Sequence, residues 1–297
     1  MSNRNERKNK SSSTLIIAFL SIVVAVGLIV SQNNLTNDSA GQEVVLGTPG
    51  LEYQLIDGKQ EYQLVGEGTA TDKHIVVASV YNDLPVTKIA DRAFIGGLEN
   101  HPFVDTVVSV FIPEGITDIG DNTFLNCKNL ESVRLPNTLT HLGERAFYSN
   151  VTLREKGCTL NNGLLYLGNE NNPYVMLYYV PDAQNLTTVK INENCKFIGA
   201  NVFYEAVLIT EVTFPEGVLE IGYQPFVFCA ELTKISLPST LTRIGTNFLK
   251  SCKQLQTVTY AGTVEQWDKI IKDNKWDSLM TTPLTEITCS NGSVKLK

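Results

Sequence analysis

A spacing of 23 residues governs much of this chain. The pair Ile198–Gly199 returns at Ile221–Gly222 and at Ile244–Gly245. Phe203 returns at Phe226, and Cys229 at Cys252. Ile209 returns as Leu232 and Leu255, Val212 as Ile235 and Val258, and Phe214-Pro215 as Leu237-Pro238. A fixed short period signals stacked copies of one unit. A single unit cannot bury its apolar set, so neighbours bury it for one another. The expected fold is a β-rich solenoid of units of about 23 residues, closed by a cap at each end.

The same register runs backwards through Ile119-Gly120, Phe124, Cys127, Leu130, Val133 and Leu135-Pro136. Leu142-Gly143, Ala146-Phe147 and Leu153 follow 23 residues later. Ile89, Ala93-Phe94, Val107, Val110 and Ile112-Pro113 join once an insertion near 95–103 is allowed. In Leu130-x-x-Val133-x-Leu135 the alternation puts Val133 and Leu135 on one face of a strand. Pro136 ends it, because proline cannot donate to a ladder. His141-Leu142 predicts a second, shorter strand, and Gly143 a turn. Ala146-Phe147 is too short for an α-helix and predicts a tight 3₁₀-like turn.

The unit resembles the leucine-rich repeats of the BspA-like bacterial surface proteins. Residues 232–245, from Leu232-Thr-Lys-Ile-Ser-Leu-Pro to Arg-Ile-Gly245, carry the resemblance most fully. The chain departs from the pattern where Phe248 precedes Leu249, and where Asn150 and Ala206 replace the repeat cysteine. The resemblance implies adhesion at a bacterial surface.

Residues 1–13 carry Arg4, Arg7, Lys8 and Lys10 against Glu6 and read as a cytoplasmic basic tail. Residues 14–30 are uncharged. As a helix they span about 25 Å, just short of the roughly 30 Å hydrocarbon core. The basic flank orients the N-terminus inward. Two readings stand, an uncleaved transmembrane signal anchor and a signal peptide cut near Ala25 or Gly27. The apolar run through Leu28-Ile29-Val30 favours the anchor. Both readings place the repeats outside the cytoplasm. Residues 31–50 are polar and without period, which predicts a flexible linker.

Residues 51–85 read as an N-terminal β cap, with Asp57-Gly58 as its hairpin turn. The run to Tyr81-Asn-Asp-Leu-Pro-Val86 resembles the same family's cap. The repeats occupy 86–262, interrupted at about 154–186 by a turn-rich hairpin with Tyr166, Tyr174, Tyr178 and Tyr179. These tyrosines are expected to pack on the flank of the stack, the alternative being a protruding adhesive patch. Residues 263–297 form the C-terminal cap. Thr263-Val-Glu-Gln266 is a capping box that starts a helix. Trp267, Ile270 and Ile271 follow at helical spacing, Trp267 being placed to cover the last repeat.

The net charge of −7 disfavours nucleic acid as a partner. Cys127, Cys229 and Cys252 share one repeat position and Cys195 occupies another core position, so they read as buried thiols. Adjacent rungs lie about 4.8 Å apart. That leaves a Cys229–Cys252 bridge sterically awkward, because the side chains run parallel. Cys158 and Cys289 have no place in the period. The absence of C-x-x-C argues against zinc. His74, His101 and His141 are scattered and match no catalytic motif, so no enzyme, metal or cofactor is expected. His141 reads as solvent-facing.

Function must then reside in a surface. The strand positions facing away from the core form a ladder: Ser109, Phe111, Ser132, Arg134, Thr188, Lys190, Glu211, Thr213, Lys234, Ser236, Thr257 and Thr259. Such extended faces suit protein or glycan partners outside the cell or in its envelope. The alternative is a structural or sensory scaffold whose ladder is plain solvated surface.

Overall fold

The computed structural model describes residues 35–37, 43–96, 103–278 and 282–296. The expected tail and transmembrane segment, 1–30, lie outside the described residues. Among the described residues no helix is long and apolar enough to cross a membrane.

Strands β1 (Leu35–Asn37) and β2 (Glu43–Val45) form an antiparallel pair inside the stretch expected to be a linker. Leu35 and Val45 pack on Val76 and Phe111, which gives this polar segment an apolar seat. The next strands, β3 (Glu52–Leu55) and β4 (Tyr62–Gly66), make the hairpin expected around Gly58. Gly58 has φ +73°, a conformation glycine adopts without penalty. Strands β5 (His74–Val76), β6 (Val80–Tyr81) and β7 (Leu84–Ile89) complete the cap.

Each repeat then adds one rung to each of two parallel sheets. Strands β8 (Ser109–Phe111), β9 (Asp118–Ile119), β10 (Ser132–Arg134) and β11 (His141–Leu142) alternate between them. The first sheet runs β5-β8-β10 and the second β4-β7-β9-β11. Phe94, Phe124 and Phe147 stack between the sheets, with centroids 5.3 and 5.2 Å apart and rings within 13° of parallel. A six-residue helix, α1 (Val151–Lys156), ends this half.

The insert supplies β12 (Thr159–Asn161), β13 (Leu164–Leu167) and β14 (Met176–Tyr179), an antiparallel meander. It is a wall between two cores. Leu164, Tyr166 and Leu177 face the C-terminal core, while Leu167, Met176 and Tyr178 face the N-terminal one. Burial on both faces accounts for the unbroken apolar run Val175–Val180. Tyr166 and Tyr178 are thus buried, as the packing reading expects.

Beyond the wall, β15 (Phe197–Ile198), β16 (Glu211–Thr213), β17 (Glu220–Ile221), β18 (Lys234–Leu237), β19 (Arg243–Ile244) and β20 (Thr257–Tyr260) resume the alternation. Helix α2 (Val264–Lys269) opens with the expected capping box between Thr263 and Gln266. It stops earlier than the spacing suggests. Ile271 is exposed and starts β21 (Ile271–Lys272), which extends a separate sheet running β12-β13-β14-β15-β17-β19. Finally β22 (Glu286–Cys289) and β23 (Gly292–Lys295) close the separate sheet that runs β16-β18-β20.

Two repeat positions acquire physical reasons that spacing alone does not show. Gly143 is outside the left-handed region. A Cβ there would fall inside the backbone of Gly120 and Asp121, so its role is close approach between rungs rather than turning. The repeat cysteine donates its thiol to a carbonyl one rung back: Cys127 to Phe94 and Cys229 to Phe203, each at 3.1 Å. Asn150 does the same through Nδ2 to Phe124, at 2.8 Å. The substitution of Asn for Cys therefore preserves the bond. All six cysteines are free. Burial pushes the Cys127, Cys195 and Cys252 thiols up to about 12 and so suppresses thiolate.

Candidate functional site: the strand ladder and the cleft at the break

The ladder divides in two. Its N-terminal part is covered. Ser109 and Phe111 are buried, the Ser109 hydroxyl bonding His74 Nδ1 at 2.8 Å and Phe111 lying under the β1-β2 pair. Arg134 is 6% exposed. Its guanidinium donates to the Ile112 carbonyl at 3.1 Å and to Glu170 Oε1 at 2.8 Å, and stacks 4.8 Å from the Phe111 ring centre. Arg134 is a clamp between β10 and the insert, so Phe111 and Arg134 are not available as the exposed anchors expected of them. Ser132 is half-buried. Thr188 and Lys190 are exposed but lie outside any strand, so no rung joins the two parts.

The C-terminal part is open. Glu211, Thr213 and Thr257 are exposed, and Lys234, Ser236 and Thr259 half-exposed. The parallel register places Glu211, Lys234 and Thr257 in one row and Thr213, Ser236 and Thr259 in another. Lys234 and Glu211 pair at 3.2 Å. An exposed pair of this kind contributes roughly 0–1 kcal/mol and leaves both side chains accessible to a partner.

A second concavity lies where the period breaks. The turn after β11 and the turn after β15 border a cleft enclosing about 270 Å³, floored by β14. Side chains far apart in sequence bridge its rim. His141 Nδ1 meets Glu220 Oε1 at 2.8 Å, and the Glu220 carboxylate also accepts from the Leu142 N–H at 3.0 Å. Glu144 accepts from the Thr246 N–H. Burial raises the Glu144 carboxyl, opposed by that bond. Arg243 is bound to Asp273 at 2.7 and 3.0 Å. Arg145 lies over the Tyr223 ring and Arg154 over Tyr179, each 4.5 Å from the ring centre. His141 is therefore not a solvent-facing position, and the cleft has no counterpart in the predicted ladder. The signal that could have found it is the loss of period at residue 154.

The His141–Glu220 contact makes stability depend on pH. The hydrogen bond to Glu220 raises the His141 pKa, against burial and the Arg243 charge, with Asp118 adding to the rise. A raised folded value means that the contribution is complete below the unfolded value of about 6.5. It is lost as pH climbs through the folded value. The expected result is a thermal midpoint that falls between pH 6 and 8 in the native chain, with a smaller fall in His141→Gln. Equal slopes in the two would show that the pair does not carry this dependence.

The geometry defines a parallel two-sheet solenoid whose rungs are leucine-rich repeats. The chain belongs to the BspA type leucine rich repeat family, whose model matches residues 87–170 and 178–291 in 6 copies. No curated protein matches it significantly. Among solved structures it is similar to a T. pallidum leucine rich repeat protein: 21% identity over 71% of this chain and 78% of that one, TM-score 0.38. It is also similar to a leucine rich cell surface protein of Faecalibacterium prausnitzii, with 14% identity over 81% and 98% of the two chains and a TM-score of 0.33. A third is the pneumococcal vaccine antigen PcpA, with 15% identity over 91% and 89% and a TM-score of 0.34.

Proposed function

We propose that this chain is a non-enzymatic binding module. Its repeats are displayed outside the bacterial cytoplasm and tethered through residues 14–30, or released if that segment is cleaved. Its partners are proteins or glycans of the surroundings or the envelope, and it acts in adhesion. The supporting observation is the open ladder on β16, β18 and β20, where polar side chains recur in register on a rigid sheet. A rigid row lowers the ordering cost of binding. Family membership supports the reading.

The test presents the immobilised full-length chain with matrix proteins, a glycan panel and the producer's envelope fraction. A saturable partner is expected. Alanine at Glu211, Thr213, Lys234, Ser236, Thr257 and Thr259 together is expected to weaken it at least about tenfold. Undiminished affinity in a folded variant would remove this face from the reading.

A further inference from the structure

We infer that the cleft at the break is a separate binding site for a short peptide segment carrying a carboxylate. Three independent observations converge on it.

The first is an interrupted backbone ladder. Between neighbouring turns, alternate N–H groups donate to the carbonyls of the next rung. Asn122, Phe124 and Asn126 donate to Glu144, Ala146 and Tyr148 at 3.0, 2.7 and 3.2 Å. Asn201, Phe203 and Glu205 donate to Tyr223, Pro225 and Val227 at 2.9, 2.9 and 3.0 Å. At the break the pattern stops on both sides. Among the described residues, the N–H groups of Arg145, Phe147 and Ser149 reach no carbonyl, and the carbonyls of Ala200, Val202 and Tyr204 receive no N–H. Arg145, Phe147 and Ser149 line one wall of the cleft, and Ala200 and Tyr204 line the other. Groups of this kind match the alternating donors and acceptors of another main chain.

The second is a set of orphaned atoms. Among the described residues the buried side-chain polar atoms without a partner are Arg145 Nε, Asn150 Oδ1 and Asn201 Oδ1. All three belong to residues lining this cleft. Asn150 is only 2% exposed. Unpaired buried groups are rare and call for a missing partner.

The third is charge. Arg145 and Arg154 rest on aromatic rings and, among the described residues, neither forms an ion pair. Arginine forks bind carboxylates well.

The site differs in place and chemistry from the strand ladder. The test pans a displayed library of random heptapeptides against the full-length chain. Enriched peptides are expected to be rich in Asp or Glu. Their affinity is expected to fall about tenfold or more in Arg154→Gln, and further with Arg145→Gln added. N-methylation of alternate peptide nitrogens is expected to cost as much. Alanine at Lys234 and Glu211 is expected to change nothing, which separates this site from the ladder. Arg154→Gln alone serves if Arg145→Gln does not fold. Absence of enriched peptides, indifference to Arg154→Gln, or tolerance of N-methylation would overturn the proposal. So would a uronic-acid oligosaccharide that binds with the same arginine dependence and displaces every peptide.

Discussion

Replacing Trp267 with alanine is expected to remove about 3–5 kcal/mol of stability. The ring is 2% exposed and lies across the end of the C-terminal core. It meets Tyr260 at 5.4 Å and Trp276 at 5.7 Å, both edge-on, and Lys272 Nζ sits 4.8 Å from its centre. Lys272 also donates to the carbonyls of Trp267 and Ile270 at 2.6 and 3.0 Å. Truncation would leave a cavity against Tyr260 and Trp276 at the end of the C-terminal core. Urea unfolding monitored by circular dichroism measures the loss. Ile271→Ala, at a residue 56% exposed, is the control and should cost little. A loss below about 1 kcal/mol in Trp267→Ala would mean that α2 does not cap the array.

Phe124→Ala should cost a similar 3–5 kcal/mol, for a different reason. Phe124 is the middle of three stacked rings and loses both partners at once. Each aromatic pair contributes about 0.5–1.5 kcal/mol beyond the area it buries. Phe94→Ala, at the end of the same stack, gives up one pair and should be milder. Phe228→Ala is the contrast, since that ring is 53% exposed and its removal should lie within about 0.5 kcal/mol. Equal losses at Phe94 and Phe124 would show that ring stacking adds nothing measurable to burial.

The repeat architecture is legible in the sequence because its determinants are local. Val133 and Leu135 alternate, Ile-Gly recurs, and the Thr263–Gln266 box announces α2 within four residues. The cleft is not legible in this way. His141 meets Glu220 across 79 residues, and Glu144 meets Thr246 across 102. Both contacts depend on how the insert turns one half of the stack against the other, and no short-range pattern encodes that. The burial of Phe111 is similarly hidden. Alternation correctly puts it on the outer face of β8, but the segment covering it is polar and lacks any period. Arg134 was legible as an outward position and illegible as a clamp, since its partner Glu170 lies in the insert.

The wall made by β13 and β14 separates what can vary in this chain from what cannot. A whole repeat gained or lost on either side would change the length of one half and leave the wall's two surfaces as they are. A single residue gained or lost within it would exchange them, turning Met176 toward the core that now holds Leu177. Divergence by copy number is thus open to both arms of the stack, while the insert between them tolerates only changes that keep its count.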